Sequence, residues 1–235
     1  MKLNKFLNGI FVLVMLFGGV IAISSCSKDD GEEGGGNANY GKHEFVDLGL
    51  SVKWASCNIG ATSPEAYGDY YAWGETEPKT NYDWTTYKYC SSSRFMIKYS
   101  INYGVKDNIT TLELEDDVAH VKWGGTWRMP TITEFEELTY KCIWTWTTKG
   151  GVNGYEVKSK INGNSIFLPA AGTVGDRDDN SKLIYAGKTG FYWSASLSKE
   201  RSYYASRLQF NSESKVWNNE GLQREAGLSV RAVCN

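Results

Sequence analysis

The chain has 235 residues with 25 basic and 27 acidic side chains, a net charge of −2, and nowhere a block of basic residues. Recognition of nucleic acid or of an anionic lipid surface therefore has no support. Nine tryptophans and fifteen tyrosines in an otherwise polar chain predict aromatic packing on strands, or surfaces that stack on sugars or partner proteins.

Lys2 and Lys5 precede an apolar stretch from Ile10 to Ile23, shorter than the roughly 20 residues a bilayer span needs. Small Ser24 and Ser25 then lead into Cys26. This reads as a lipoprotein signal peptide, residues 1–25, whose removal makes Cys26 the first residue of the mature chain. Diacylglycerol and N-acyl groups on Cys26 would give a durable anchor, because several acyl chains hold where one does not. Loss of Lys2 and Lys5 leaves 23 basic against 27 acidic residues, a mature charge of −4. Residues 26–39 are acidic, Gly-rich and free of large apolar side chains, so they form a flexible tether. Its 13 residues after the cysteine would hold a domain roughly 20 Å from the membrane.

Residues 40–235 are long enough for one well-buried domain. Glu44–Leu48 and Val52–Cys57 read as short strands split at Gly49, and Gly68–Gly74 as an aromatic strand. A polar insertion follows over about 75–111. Glu115–Trp123 has acids in its first turn and glycines at its end, which predicts a short helix. The clearest element starts at Pro130: Thr131 and Glu134 form a capping box, and Ile132, Phe135 and Leu138 recur at helical spacing. Ile143–Thr147 alternates with period two, placing Trp144 and Trp146 on one face. Gly150-Gly151 and Asn162-Gly163 are turn signals. Ser165–Leu168, Gly190–Ser194, Tyr203–Phe210 and Leu228–Val233 complete the strands. Strands around one or two short helices indicate an α+β domain.

Three stretches carry a resemblance: Trp123-Gly-Gly-Thr-Trp-Arg-Met-Pro-Thr131 with Glu134-Phe135; Phe167-Leu-Pro-Ala-Ala-Gly172 leading to Gly190-Phe-Tyr-Trp-Ser-Ala-Ser196; and Gly227-Leu-Ser-Val-Arg-Ala-Val233. From about Phe45 to Val233 the chain resembles the major paralogous domain family of bacterial surface lipoproteins. That family is similar in fold to C-type lectins and to the sulfatase-modifying domain. Lys28-Asp29-Asp30 after Cys26 likewise resembles the acidic export signal of Bacteroidetes lipoproteins. The resemblance implies an outer-membrane protein at the cell surface with its ligand loops after Gly172, and an early strand near Val52–Ser56 lying beside Leu228–Val233. It also implies a Cys57–Cys142 disulfide, leaving Cys90 and Cys234 as a second pair. From the residues alone, an even number of remaining cysteines outside the cytoplasm favours two disulfides with three possible connectivities.

The expected ligand residues are Asp176, Asp178 and Asn180 in one loop, with Trp217, Asn218, Asn219 and Arg224 in another. Trp217 to Asn219 combine an aromatic face with amides, which suits sugar rings and hydroxyls. Residues 176–180 place oxygens at alternate positions as a calcium loop does, but Ser181 stands where glycine is needed and Gly187 where the closing glutamate belongs. A solvated acidic loop is the reading, with no metal and no cofactor. Trp144 and Trp146 read as core more readily than as a stacking platform, and Arg128 and Arg231 as buried structural arginines.

The late reactive cysteine pair of sulfatase-modifying enzymes is missing. His43 and His120 are the only histidines, and no Ser-His-Asp set, P-loop or Rossmann fingerprint occurs. The expectation is a non-catalytic binding or adhesion module for a glycan or protein ligand. The alternatives are a component of a surface assembly or, behind it, a sulfatase-modifying-type enzyme.

Overall fold

The structure is a computed structural model that describes residues 23–25, 43–91, 95–175 and 179–235, with backbone alone at 23–25 and 215–220. The start of the expected signal peptide, Cys26 and the expected tether lie outside the described residues. In chain order the elements are β1 (Ile23–Ser25), β2 (Glu44–Val46), β3 (Lys53–Ala55), α1 (Val118–Trp123), α2 (Ile132–Lys141), β4 (Cys142–Lys149), β5 (Val152–Ser159) and β6 (Ser165–Pro169). There follow β7 (Thr173–Val174), β8 (Leu183–Ile184), β9 (Thr189–Leu197), β10 (Tyr204–Asn211), β11 (Lys215–Gln223) and β12 (Val233–Cys234).

The strands form separate antiparallel sheets ordered β1-β2-β3-β12, β11-β10-β9, β4-β5-β6 and β7-β8. The α+β expectation is corrected to a β-rich fold. α2 has 10 residues, and the helix expected over Glu115–Trp123 is reduced to a 3-10 turn followed by a 6-residue α1. The physical cause is Asp117. It is buried, and its carboxylate accepts from the amides of Ala119, His120 and Met129, so it starts a new helix instead of continuing one. Among the described residues no helix is long and apolar enough to cross a membrane.

The capping box at α2 is present: the Thr131 hydroxyl accepts from the Glu134 amide while the Glu134 carboxylate accepts from the Thr131 amide at 2.7 Å. Phe135 and Leu138 point from this helix into a core shared with Trp54, Val157, Leu168, Tyr192 and Phe210. Gly190 is needed opposite Phe210, because a Cβ there would strike the phenyl ring. β3 and β12 are neighbours as the resemblance implied, with Trp54 opposite Val233.

A second core gathers Trp73, Trp193, Leu228 and Val230, and the insertion builds much of it. Tyr82, Tyr87, Tyr89, Met96 and Tyr99 are all buried there. The insertion is thus polar in composition but not in role. The Gly68–Gly74 segment likewise makes a single bridge, Tyr71 to Leu228, and contributes buried side chains instead of a strand.

The cysteine expectation is also corrected. Cys57, Cys90 and Cys142 are thiols, so neither the Cys57–Cys142 nor the Cys90–Cys234 bridge is present. Cys142 is enclosed in the α2 core, whereas the Cys57 thiol donates to the Ala61 carbonyl at 3.4 Å within its own loop.

Candidate functional site

The expected ligand residues do not form one site. Asp176 and Asp178 lie outside the described residues. Asn180 is fastened to the insertion: its carbonyl accepts from the Tyr82 amide at 2.9 Å, and its side-chain amide donates to Asp83 at 3.3 Å. Beside it the Asp179 carboxylate accepts from the Ser181 hydroxyl and amide, bonds that hold its carboxyl below the usual carboxylate range. Trp217, Asn218 and Asn219 are not in a loop. They belong to β11, where Trp217 faces Leu208 and Asn218 faces Arg207 of β10. This strand lacks the period-two pattern that reveals the others. It bends at Gly221, whose φ of +78° lies opposite the β10 bulge, where a Cβ would strike the Ala205 carbonyl.

Arg224 requires the firmest correction, because it is fully buried and cannot meet a ligand at the surface. Its Nε donates to the Tyr87 hydroxyl at 2.7 Å, and Nη1 donates to the carbonyls of Tyr99 at 3.1 Å and Ser202 at 2.8 Å. The guanidinium carbon stands 4.7–5.9 Å from the ring centres of Trp73, Tyr87, Tyr89 and Tyr99. It is the polar pin of the insertion core, held by cation–π contacts and carbonyls.

The two other arginines are also structural. Arg128 pairs in a fork with Glu134, at 2.8 and 2.5 Å. Burial pushes the Glu134 carboxyl up, but the Arg128 and Thr131 bonds outweigh it and hold it low. Fully buried Arg231 donates to Asn58 Oδ1 at 2.9 Å and to the carbonyls of Ala55 at 3.0 Å, Ser56 at 2.9 Å and Phe167 at 2.9 Å. Trp144 and Trp146 are partly buried, each set edge-on against Tyr155 at 5.3 and 5.2 Å.

Glu113, Glu115 and Asp116 come close enough to hold a cation, a grouping that sequence reading missed. A cation of the chain already sits there: Lys98 Nζ lies 2.6 Å from Glu113, 2.7 Å from Asp116 and 3.5 Å from Glu115. Burial works against that ammonium, but the carboxylates prevail and keep it protonated.

One cleft of about 200 Å³ opens between β2, the loop after β3 and β6. Val46, Pro64 and Phe167 give it an apolar lining, the half-buried Cys57 one wall, and Glu44 and Lys149 exposed rim charges. Arg231 binds Ser56 and Phe167 from behind, so one buried guanidinium clamps both walls. No local motif announces this cleft, because its lining comes from chain segments about a hundred residues apart.

A family model described as "Domain of unknown function (DUF8237)" matches residues 132–233. The matched segment begins with α2 and ends in β12, yet β12 pairs with β3 outside it, so the segment is not a closed structural unit. Comparison with curated proteins and with solved structures returns no match.

Proposed function

We propose that the protein is a lipid-anchored outer-membrane protein whose β-rich domain binds a glycan or protein ligand outside the cell, without catalysis. The observation that carries this reading is the use made of the charged side chains suited to chemistry. Arg224, Arg231, Asp116, Asp117 and the Arg128–Glu134 pair are each engaged by the scaffold itself. The Asp83 and Asp179 turns, tied to one another through Asn180, remain as polar surface loops on that rigid frame. The anchor and export part rests on the Ser24-Ser25-Cys26 run, the acidic tether and the resemblance to surface lipoproteins.

A second reading, a component of a surface assembly, draws support from Tyr140, Ile143 and Ile161. These apolar side chains are 60%, 53% and 59% exposed around the end of α2, the start of β4 and the β5–β6 turn.

Two measurements test the reading. Wild type should partition into detergent and Cys26→Ala should not; Cys26 found in a disulfide would end the anchor, since its sulfur cannot carry both bonds. The protein applied to a glycan array, with calcium and with chelator, should give hits. A silent array with a stoichiometric co-purifying surface protein favours the assembly reading, and silence in both experiments ends the binding-module reading.

A further inference from the structure

The cleft between β2 and β6 carries an inference independent of the glycan or protein reading. At about 200 Å³ it is smaller than the roughly 300–1,000 Å³ of a site for a drug-sized molecule, which suits a ligand smaller than a sugar chain. Its apolar lining includes Val46, Pro64 and Phe167, while Ile166, next to Phe167 on β6, turns its side chain to the α2 core. Its rim carries one cation, Lys149, and one anion, Glu44. Among the described residues neither side chain makes an ion pair or a hydrogen bond, to the other or to a third group. The two opposite charges therefore flank an apolar floor without neutralising each other.

The walls are fixed before any ligand arrives. Arg231 ties the Ser56 carbonyl on one side to the Phe167 carbonyl on the other, and the Ser56 amide donates to the Glu44 carbonyl at 3.0 Å. A preformed site spends little free energy on ordering itself. No carboxylate pairs with Arg231 among its bonds, so its positive charge lies behind the cleft uncompensated.

We propose that this cleft binds a free α-amino acid with an aliphatic side chain. The carboxylate faces Lys149, the ammonium faces Glu44, and the side chain rests on Val46, Pro64 and Phe167. A small zwitterion complements both rim charges, whereas a simple fatty acid or an amine answers only one of them.

The test is titration calorimetry on the membrane-purified protein in detergent, with L-leucine, 4-methylpentanoate and isoamylamine as probes. L-leucine should bind at least tenfold more tightly than either half-ligand. Lys149→Gln and Glu44→Gln should each weaken leucine about tenfold or more, roughly 1.4 kcal/mol. Lys149→Gln should leave isoamylamine unchanged, and Glu44→Gln should leave 4-methylpentanoate unchanged. Both residues are exposed, so the melting temperature should not move in either variant. No leucine binding at millimolar concentration, equal binding of the three probes, or variants that bind leucine like wild type would each overturn the proposal.

Discussion

Trp73 and Trp193 hold each other's segments. The Trp73 indole N–H donates to the Ser194 carbonyl at 2.8 Å, and the Trp193 indole N–H donates to the Tyr71 carbonyl at 2.9 Å. Both side chains are fully buried, so the exchange occurs where no water can substitute. It fixes the strandless stretch before the insertion against β9, the middle of the second core. Aromatic area and a polar tip are both used at each position.

Replacing either indole by a phenyl ring keeps most of the apolar area and removes one buried hydrogen bond, but the Tyr71 carbonyl keeps the Leu228 amide at 3.1 Å. Trp73→Phe should therefore cost about 1–3 kcal/mol and Trp193→Phe about 0.5–1.5 kcal/mol. For a domain of this size that lowers the melting temperature by about 2–4 °C per kcal/mol. Urea unfolding of the two single variants and the double variant checks this, and an indole that can be removed without loss would refute the exchange.

Arg224 gives the sharpest contrast between a scaffold residue and a ligand residue. Its removal strands buried carbonyls and leaves the Tyr87 hydroxyl with only its bond to the Trp73 carbonyl, and charge-assisted bonds contribute about 1.5–3 kcal/mol each. Arg224→Met should therefore lose at least about 3 kcal/mol and loosen the insertion, seen as faster amide exchange at Tyr87 and Tyr99. An Arg224→Met protein that melts like wild type would return this residue to the list of ligand contacts.

The stretch that sequence reads best is local. At α2 the capping box, the apolar stripe and the following alternation of β4 are encoded within a few residues of one another, and the helix and hairpin appear where they are expected. The insertion is opaque for the opposite reason. Tyr87 and Tyr99 have no periodic spacing, and what buries them is an arginine 137 and 125 residues away. Arg224 carries no sign of burial in its own neighbourhood, so it reads as a surface cation. β11 hides because its Asn-Asn-Glu-Gly run breaks alternation, while its pairing is dictated by the β10 bulge. Cysteine parity misleads because it counts thiols and cannot see that Cys142 is enclosed by Phe135 and Leu138. The cleft, assembled from distant segments, is visible only in three dimensions.

Asp116 predicts the acid response. Burial pushes its carboxyl up, but bonds from Lys98, Tyr99 and Lys88 outweigh it and set its pKa well below the ordinary carboxylate range. A group depressed in this way stabilises fully above its unfolded value of about 3.9, and the contribution is lost as pH falls through the folded-state value. Glu134 and Asp107 are depressed in the same direction and add to it. Buried Asp117 is raised by its desolvation and works the other way. Stability should therefore hold from neutrality to about pH 4 and fall steeply below. Asp116→Asn should be less stable at pH 7 and show a shallower acid slope. Parallel slopes in the two proteins would mean that Asp116 is not a main contributor.

The thiols should separate by reactivity. Cys142 is buried beside Phe135 and Leu138, and that burial pushes its thiol up to about 11. At pH 8 almost none of it is thiolate, the species that alkylates, and reagent must also enter a closed core. Cys57 lies at the wall of the cleft, half-exposed, with a single weak bond to the Ala61 carbonyl at 3.4 Å. Iodoacetamide added to the folded protein without reductant should therefore modify Cys57 while leaving Cys142 untouched until the chain is unfolded. Peptide mass spectrometry at intervals reads the two rates separately. If Cys57 and Cys142 are instead recovered as one cross-linked peptide, the thiol assignment fails. The α2 core would then have to move to bring them together, and the resemblance-based pairing would be restored. If both label at the same rate in the folded protein, Cys142 is not enclosed and the packing of α2 against β4 and β5 is wrong.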